Sequence, residues 1–327
     1  MNAANYIHTP YNRPFIPQRA DPYVLRHADG RYYFTASVPE YDRIVLRRAD
    51  TLAGLRDAEE HVVWTRHEGG AMSMHIWAPE LHWLDGAWYI YFAAGERDDI
   101  WRIRPYALRC ADADPVAGRW EEIGLPERAD DFCFNDFSLD MTVFENRGSR
   151  YAVWAEKVNT GKKISNLYIA RLADPTRLAT PQVLLSFPSY DWEQVDFWVN
   201  EGPAFIEGEG KVFLTYSASA TGACYCMGLL YADADDDLLD PNAWRKARRP
   251  VLATDAEKGL FGPGHNSFFK DETGQWLMAY HARPYDEIVG DPLYDPNRHC
   301  YLMRVNWRDG FPVFDYEANI TWPGERG

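Results

Sequence analysis

The sequence predicts an all-β fold, a five-bladed β-propeller built as a single domain over residues 1–327. Three observations carry this expectation. One hairpin design recurs five times: an opening residue with a polar or aromatic side chain, a short apolar run, a turn glycine and a returning alternating strand. The turn glycines are Gly30, Gly86, Gly148, Gly210 and Gly274, spaced by 56, 62, 62 and 64 residues. A period of this size in strands is the signature of one four-stranded blade per repeat. Helical periodicity is nearly missing, and only residues 51–59 read as a helical turn or two.

Residues 1–20 are polar and rich in Pro, Asn and Arg, and read as an extended lead-in that pairs with the last blade. Blade one opens at Asp21 and returns through Tyr32-Tyr33-Phe34. Residues 39–42 form a loop, either at the channel mouth or, more plainly, a solvated turn. Blade two opens at Trp77 and returns at Trp88-Tyr89-Ile90. The loop before it, residues 65–72, lacks the lysine and hydroxyl of a phosphate-binding loop. His75 and His82 read as structural polar residues. Blade three opens at Asp140; Asp131 and Asp136 lie nearby, but only Asp140 holds the strand-start place. Residues 164–170 form an outer strand. Blade four opens at Glu201, after a loop bearing Trp192 and Trp198, and ends at an acidic surface turn over 233–237. Blade five opens at His265, and its last strands run to residue 313.

Counting nine positions back from the turn glycine reaches Asp21, Trp77, Glu201 and His265; eight back reaches Asp140. The first strand of a propeller blade lies beside the axis, so these positions converge at one end of a channel. A buried carboxylate is costly unless paired or functional, and packing does not explain three around one axis. Asp21, Asp140 and Glu201 are the parts needed for glycoside hydrolysis. One carboxyl must be protonated to assist the leaving oxygen and another ionised to act on water or carbon. A third raises the acid's proton affinity by like-charge repulsion. Residues facing each other across a channel leave room for a water, which favours inversion.

The net charge of −15 argues against nucleic acid or an anionic membrane as partner. Aromatic residues make up 15% of the chain; Trp and Tyr stack on sugar rings, although most of these must be core. The five cysteines are odd in number and lack metal-type spacing, so they read as reduced, inert thiols, which suits a cytoplasm. With no signal-peptide pattern and no apolar run of membrane-spanning length, the expected location is the cytoplasm.

The ordered set Arg19-Ala20-Asp21-Pro22, Ile76-Trp77-Ala78-Pro79-Glu80, Asn200-Glu201-Gly202-Pro203 and Gly264-His265-Asn266 resembles glycoside hydrolase family 43. These are the inverting arabinofuranosidases, xylosidases and arabinanases on five-bladed propellers. The resemblance runs from Asp21 to Pro312. It implies that Asp21 is the general base, Asp140 the pKa modulator and Glu201 the general acid. It implies sugar contacts from Trp77, Trp198, His265 and Arg298. No cofactor takes part in the chemistry; His265 is implied to meet a channel ion, commonly calcium, through water. Met141 stands where the family often has Pro, and Glu80 where it often has Asp. The segment over residues 38–44 resembles exo-acting α-L-arabinofuranosidases, which implies release of terminal L-arabinofuranose from arabino-oligosaccharides.

Three rivals remain open at this level. A β-xylosidase or endo-arabinanase shares the scaffold. A retaining fructan-active propeller would carry Asn-Asp-Pro and Arg-Asp-Pro motifs that are missing here. A carbohydrate-binding or interaction propeller would not need a full acid and base set.

Overall fold

A computed structural model describes residues 9–157 and 164–322. Among the described residues the chain is all-β, with 22 strands and one short α-helix, α1 (Leu52–Asp57), capped by Thr51, whose side chain accepts the Gly54 N–H. The strands fall into five sequential groups. The first is an antiparallel four-stranded sheet of β1 (Ala20–Arg26), β2 (Tyr32–Ser37), β3 (Arg43–Ala49) and β4 (His61–Thr65). The second repeats it with β5 (Met74–Leu84), β6 (Ala87–Gly95), β7 (Arg104–Cys110) and β8 (Trp120–Gly124).

The third group holds β9 (Ser138–Asn146), β10 (Ser149–Lys157) and β11 (Ile164–Asp174), with β12 (Arg177–Leu178) and β13 (Val183–Ser186) paired to β11. The fourth holds β14 (Trp198–Gly208), β15 (Lys211–Ala218), β16 (Cys226–Asp233) and β17 (Arg245–Lys246). A short parallel pairing of Ile164 with Trp198 and Ser165 with Val199 joins these two groups, so the start of β11 is not an outer edge. The fifth holds β18 (Phe261–Lys270), β19 (Trp276–Arg283) and β20 (His299–Arg304), followed by the hairpin of β21 (Asn306–Arg308) and β22 (Phe311–Val313).

The opening strands neighbour one another in a cycle. β1 packs beside β5, β5 beside β9, β9 beside β14, β14 beside β18, and β18 beside β1. Apolar clusters fill the gaps between groups. Tyr33, Ile44 and Leu46 meet Ile76, Leu81 and Trp88 between the first and second, and Phe34 and Ala36 meet Leu277, Ala279 and Leu302 between the first and fifth. The lead-in seals this last seam: Phe15 N–H donates to the Cys300 carbonyl at 2.7 Å and Gln18 N–H to His299 Nδ1 at 2.9 Å. The part of the lead-in over residues 1–8 lies outside the described residues.

Backbone chemistry sets where each opening strand points its side chains. Three groups close their first hairpin with two residues, Asp85-Gly86, Arg147-Gly148 and Glu209-Gly210, all at positive φ. Positive φ at both places is the two-residue turn that suits the right-handed twist of strands. The first and fifth groups use five-residue loops, 27–31 and 271–275. Every opening strand is also bulged, and at equivalent places holds a residue in left-handed backbone: Asp21 (φ 52), Ala78 (φ 46), Asp140 (φ 56), Gly202 (φ 54) and His265 (φ 39), with β5 and β18 adding a second at His75 and Gly262. A bulge re-aims the side chains beside it. The equivalent residue lies eight positions before the turn glycine in groups with two-residue turns, and nine before it in the other two. The uniform count of nine therefore lands one residue early at Trp77 and Glu201, next to the bulge residue instead of on it.

Candidate active site

The bulged stretches of all five groups border one cavity of about 620 Å³, and Asp21, Trp77, Asp140, Glu201, His265 and Arg298 all line it. Asp21 sits at its most densely charged point. Its Oδ1 lies 3.3 Å from His265 Nδ1 and 3.6 Å from Arg298 Nη1, and its Oδ2 accepts a hydrogen bond from Ser37 Oγ at 2.5 Å. Ser37 Oγ in turn accepts the Ala78 N–H at 2.8 Å, tying the first bulge to the second. His281 Nδ1 is also 3.3 Å from Asp21 Oδ1, but it accepts the Asp21 N–H at 3.1 Å and so cannot also donate to the carboxylate. Burial lowers the His281 pKa to about 3, which fits this neutral, accepting role.

The three carboxyl groups feel opposite environments. Burial alone would raise Asp21, but the His265 and Arg298 charges outweigh it and hold the group well below the usual carboxylate range. Glu201 is pushed up to about 7, first by burial and then by the charge of Asp140. Asp140 is pushed up to about 6 by burial and by Asp21, with His265 opposing. Burial would lower His265, but the surrounding carboxylates, Asp140 and Asp21 foremost, raise it, so the imidazole favours its charged form beside them.

Local structure fixes each group. Asp140 Oδ2 accepts the Gly202 N–H at 3.0 Å, so the third group holds the backbone next to the fourth group's carboxyl. Tyr225 Oη donates to Glu201 Oε1 at 2.8 Å, and the Tyr225 ring stacks on His281 at 5.6 Å. Arg298 Nη2 donates to Tyr41 Oη at 2.6 Å, and Tyr41 Oη donates to the Leu293 carbonyl at 2.5 Å. Trp77 stacks on His75 at 4.4 Å and meets Tyr41 edge-on at 5.6 Å. Among the described residues, Trp77 Nε1 and Arg298 Nε are buried without a hydrogen-bond partner. Unpaired buried donors beside a cavity are groups that a bound sugar hydroxyl would satisfy.

Residues 11–312 match Glycosyl hydrolases family 43. The chain belongs to glycosyl hydrolase family 43. It is 50% identical over 284 residues to the extracellular exo-alpha-(1->5)-L-arabinofuranosidase of Streptomyces chartreusis, covering 86% of this chain and 85% of the relative. It is 48% identical over 306 residues to the extracellular exo-alpha-(1->5)-L-arabinofuranosidase of Streptomyces avermitilis, covering 93% of this chain. The match spans only 63% of that relative's length. Among solved structures, the alpha-L-arabinofuranosidase of Lactobacillus brevis superposes with a TM-score of 0.87 at 48% identity, covering 93% of this chain and 95% of the other.

Two expectations change for this family 43 chain. The cytoplasmic location is overturned, because both Streptomyces relatives are named extracellular. The thiols pointed the wrong way for a physical reason. Cys110, Cys133, Cys226 and Cys300 are buried, so packing keeps them apart and unreactive in any compartment. Trp198 is the second change, since it does not line the cavity, whereas Phe197 and Val199 do. Alternate residues of a strand face opposite ways, and Trp198 falls on the other face.

The family 43 site also uses residues that no repeat position marks: Ser37, Tyr41, Tyr225 and His281. Tyr41 lies in the loop over 39–42 and is buried against Arg298, so that loop is not a solvated turn. Among the described residues no group of three or more His, Cys, Asp or Glu side chains is arranged to hold a metal ion. His265 Nδ1 faces two carboxylates, and calcium prefers a shell of oxygens. The residues do not fit a directly held ion, and no step is assigned to one.

Two expected outcomes follow from this geometry. The Tyr225 hydrogen bond favours the ionised form of Glu201. Tyr225→Phe should therefore raise that pKa further and move the basic limb of the pH–rate profile of kcat/KM to higher pH; a limb that stays in place would separate Tyr225 from the titrating group. At Gly202 an added Cβ would sit 3.1 Å from the His265 ring, in backbone at φ 54. Gly202→Ala should cost about 1–2 kcal/mol of stability in urea unfolding from the left-handed backbone alone.

Proposed function

We propose that this chain is an exo-acting, inverting glycoside hydrolase that releases terminal L-arabinofuranose from arabino-oligosaccharides. The observation that carries the reading is a split between carboxyl groups in one cavity: surroundings hold Asp21 ionised and push Glu201 toward its protonated form near neutral pH. Two titratable groups driven apart in this way supply a base and an acid. The strand groups are read as five blades of a single propeller domain, supported by the cyclic packing of β1, β5, β9, β14 and β18. The names of the Streptomyces relatives favour arabinofuranose over xylose and exo over endo action.

In this reading Glu201 gives its proton to the glycosidic oxygen as the bond to the anomeric carbon breaks. Water attacks that carbon from the opposite face and loses its proton to Asp21. Asp21 and Glu201 stand on β1 and β14, which are not adjacent, with β18 and its His265 between them. A separation across the cavity leaves room for the water and supports inversion. His265 and Arg298 keep Asp21 charged at the expense of its basicity, which an oxocarbenium-like transition state tolerates because water becomes acidic as it bonds to carbon. Asp140 keeps the acid's proton affinity high and anchors the Gly202 N–H.

The test is an activity screen with proton NMR of the first-formed sugar. Nitrophenyl α-L-arabinofuranoside should be cleaved in preference to the xyloside, linear arabinan should yield single arabinose units, and the first anomer should be inverted. Faster xyloside cleavage or longer products would replace the substrate reading. A retained anomer would require a nucleophile roughly 5–5.5 Å from the acid. Binding without turnover would turn the chain into a carbohydrate-binding propeller.

A further inference from the structure

Behind Glu201 lies a second set of charges that the proposed reaction does not use. Glu193, fully buried in the 3-10 turn Asp191–Glu193, forms an ion pair with Lys246 Nζ at 2.5 Å. The same Oε1 accepts from Asn200 Nδ2 at 2.9 Å and from Tyr216 Oη at 2.9 Å. Oε2 accepts the backbone N–H groups of Ser189 at 2.8 Å and Tyr190 at 2.9 Å. Lys246 stands on the edge strand β17 and also reaches Asn200 Oδ1 at 3.3 Å, where Ser186 Oγ donates at 2.7 Å. The Asn200 carbonyl accepts from Ser165 Oγ at 3.1 Å. Asn200 is thus held at both polar atoms of its side chain and at the carbonyl whose carbon is bonded to the Glu201 nitrogen.

A buried ion pair is a poor device for stability alone, because desolvation offsets its attraction and an apolar pair of similar volume often serves as well. What this one adds is direction: two charges from separate outer elements meet on the residue before Glu201. We propose that the Glu193–Lys246 pair is a positioning device for the acid, acting through Asn200 to fix the backbone from which Glu201 projects. The inference rests on the reading of Glu201 as the acid.

The test compares Glu193→Gln, Lys246→Met and the double variant on an arabino-oligosaccharide and on dinitrophenyl α-L-arabinofuranoside. A misplaced acid matters when the leaving group needs its proton, and small displacements cost up to about 100-fold. On the oligosaccharide kcat should fall about 10–100-fold with KM little changed. On the aryl substrate the loss should stay below about threefold, since a phenolate needs little protonation. Lys246→Arg should recover part of the loss. The double variant removes both charges and leaves neither stranded. If these variants fail to fold by thermal melting, Ser186→Ala, which removes only one hydrogen bond on Asn200, should show the same selectivity at smaller size. Equal losses on both substrates, or no loss in folded variants, would overturn the proposal. Glu201→Ala on the same two substrates separates the levels: if it lacks the selectivity, the acid reading falls and takes this inference with it. If it has the selectivity and the pair variants lack it, only the positioning role falls.

Discussion

Asp21→Ala should lose at least about 10⁴-fold in kcat on oligosaccharide and activated aryl substrate alike, because the water loses both its proton acceptor and its anchor. The leaving group cannot compensate, since the missing step is on the attacking side. Asp21→Asn is the control for geometry: its amide oxygen can still accept from Ser37 Oγ, while the charge is gone. It should be nearly as inactive as the alanine variant, and an Asn variant with substantial turnover would remove the base assignment. A stability signature accompanies the activity loss. Asp21 has a depressed folded pKa, so its contribution is fully present above the ordinary carboxylate value of about 3.9 and is lost as pH falls through the folded value. Without it, His265 and Arg298 face each other across a buried gap with no intervening charge, and the acid side of the stability profile should flatten.

Glu201→Ala should divide the two substrates. On an oligosaccharide the loss should reach about 10²–10⁴-fold, the range of one general acid. On dinitrophenyl arabinofuranoside most of the rate should survive, because the phenolate departs unaided. The basic limb of the wild-type pH–rate profile, set by a group raised to about 7, should disappear on that substrate. The reverse pattern, with Asp21 variants rescued by a good leaving group and Glu201 variants not, would exchange the two roles.

Much of the arrangement was legible in the sequence because it rests on local chemistry. Turn glycines at positive φ recur in all five groups, so the repeat was visible. The phase within the repeat was harder to read. Two-residue turns in the middle groups and five-residue loops in the first and fifth shift the count by one, which no spacing from Gly86 or Gly210 reveals. Trp198 was chosen for its chemistry, yet strand alternation turns it away from the cavity that Phe197 and Val199 line. Tyr225 reaches Glu201 from a loop outside the repeat positions, whereas Tyr41 and His281 contribute through contacts between groups far apart in the chain. His281 meets Asp21 across 260 residues and Arg298 meets Tyr41 across 257, and no repeat position marks either pair. The location was misread in part because burial, not compartment, keeps four of the five thiols inert.

Asp21, Asp140 and His265 are three non-glycine side chains held in left-handed backbone, a conformation that costs roughly 1–2 kcal/mol each for such residues. The scaffold therefore maintains its reactive centre against the preference of the chain, and the rest of the fold carries that debt. Thermal robustness and turnover are opposed most directly at Asp140, where burial also disfavours the charged carboxyl. A search for heat-tolerant variants that is blind to activity would drift toward glycine or asparagine there, and would recover sturdier but silent proteins. Selection for heat tolerance without that loss has to work at the outer strands and the surface, away from the bulges.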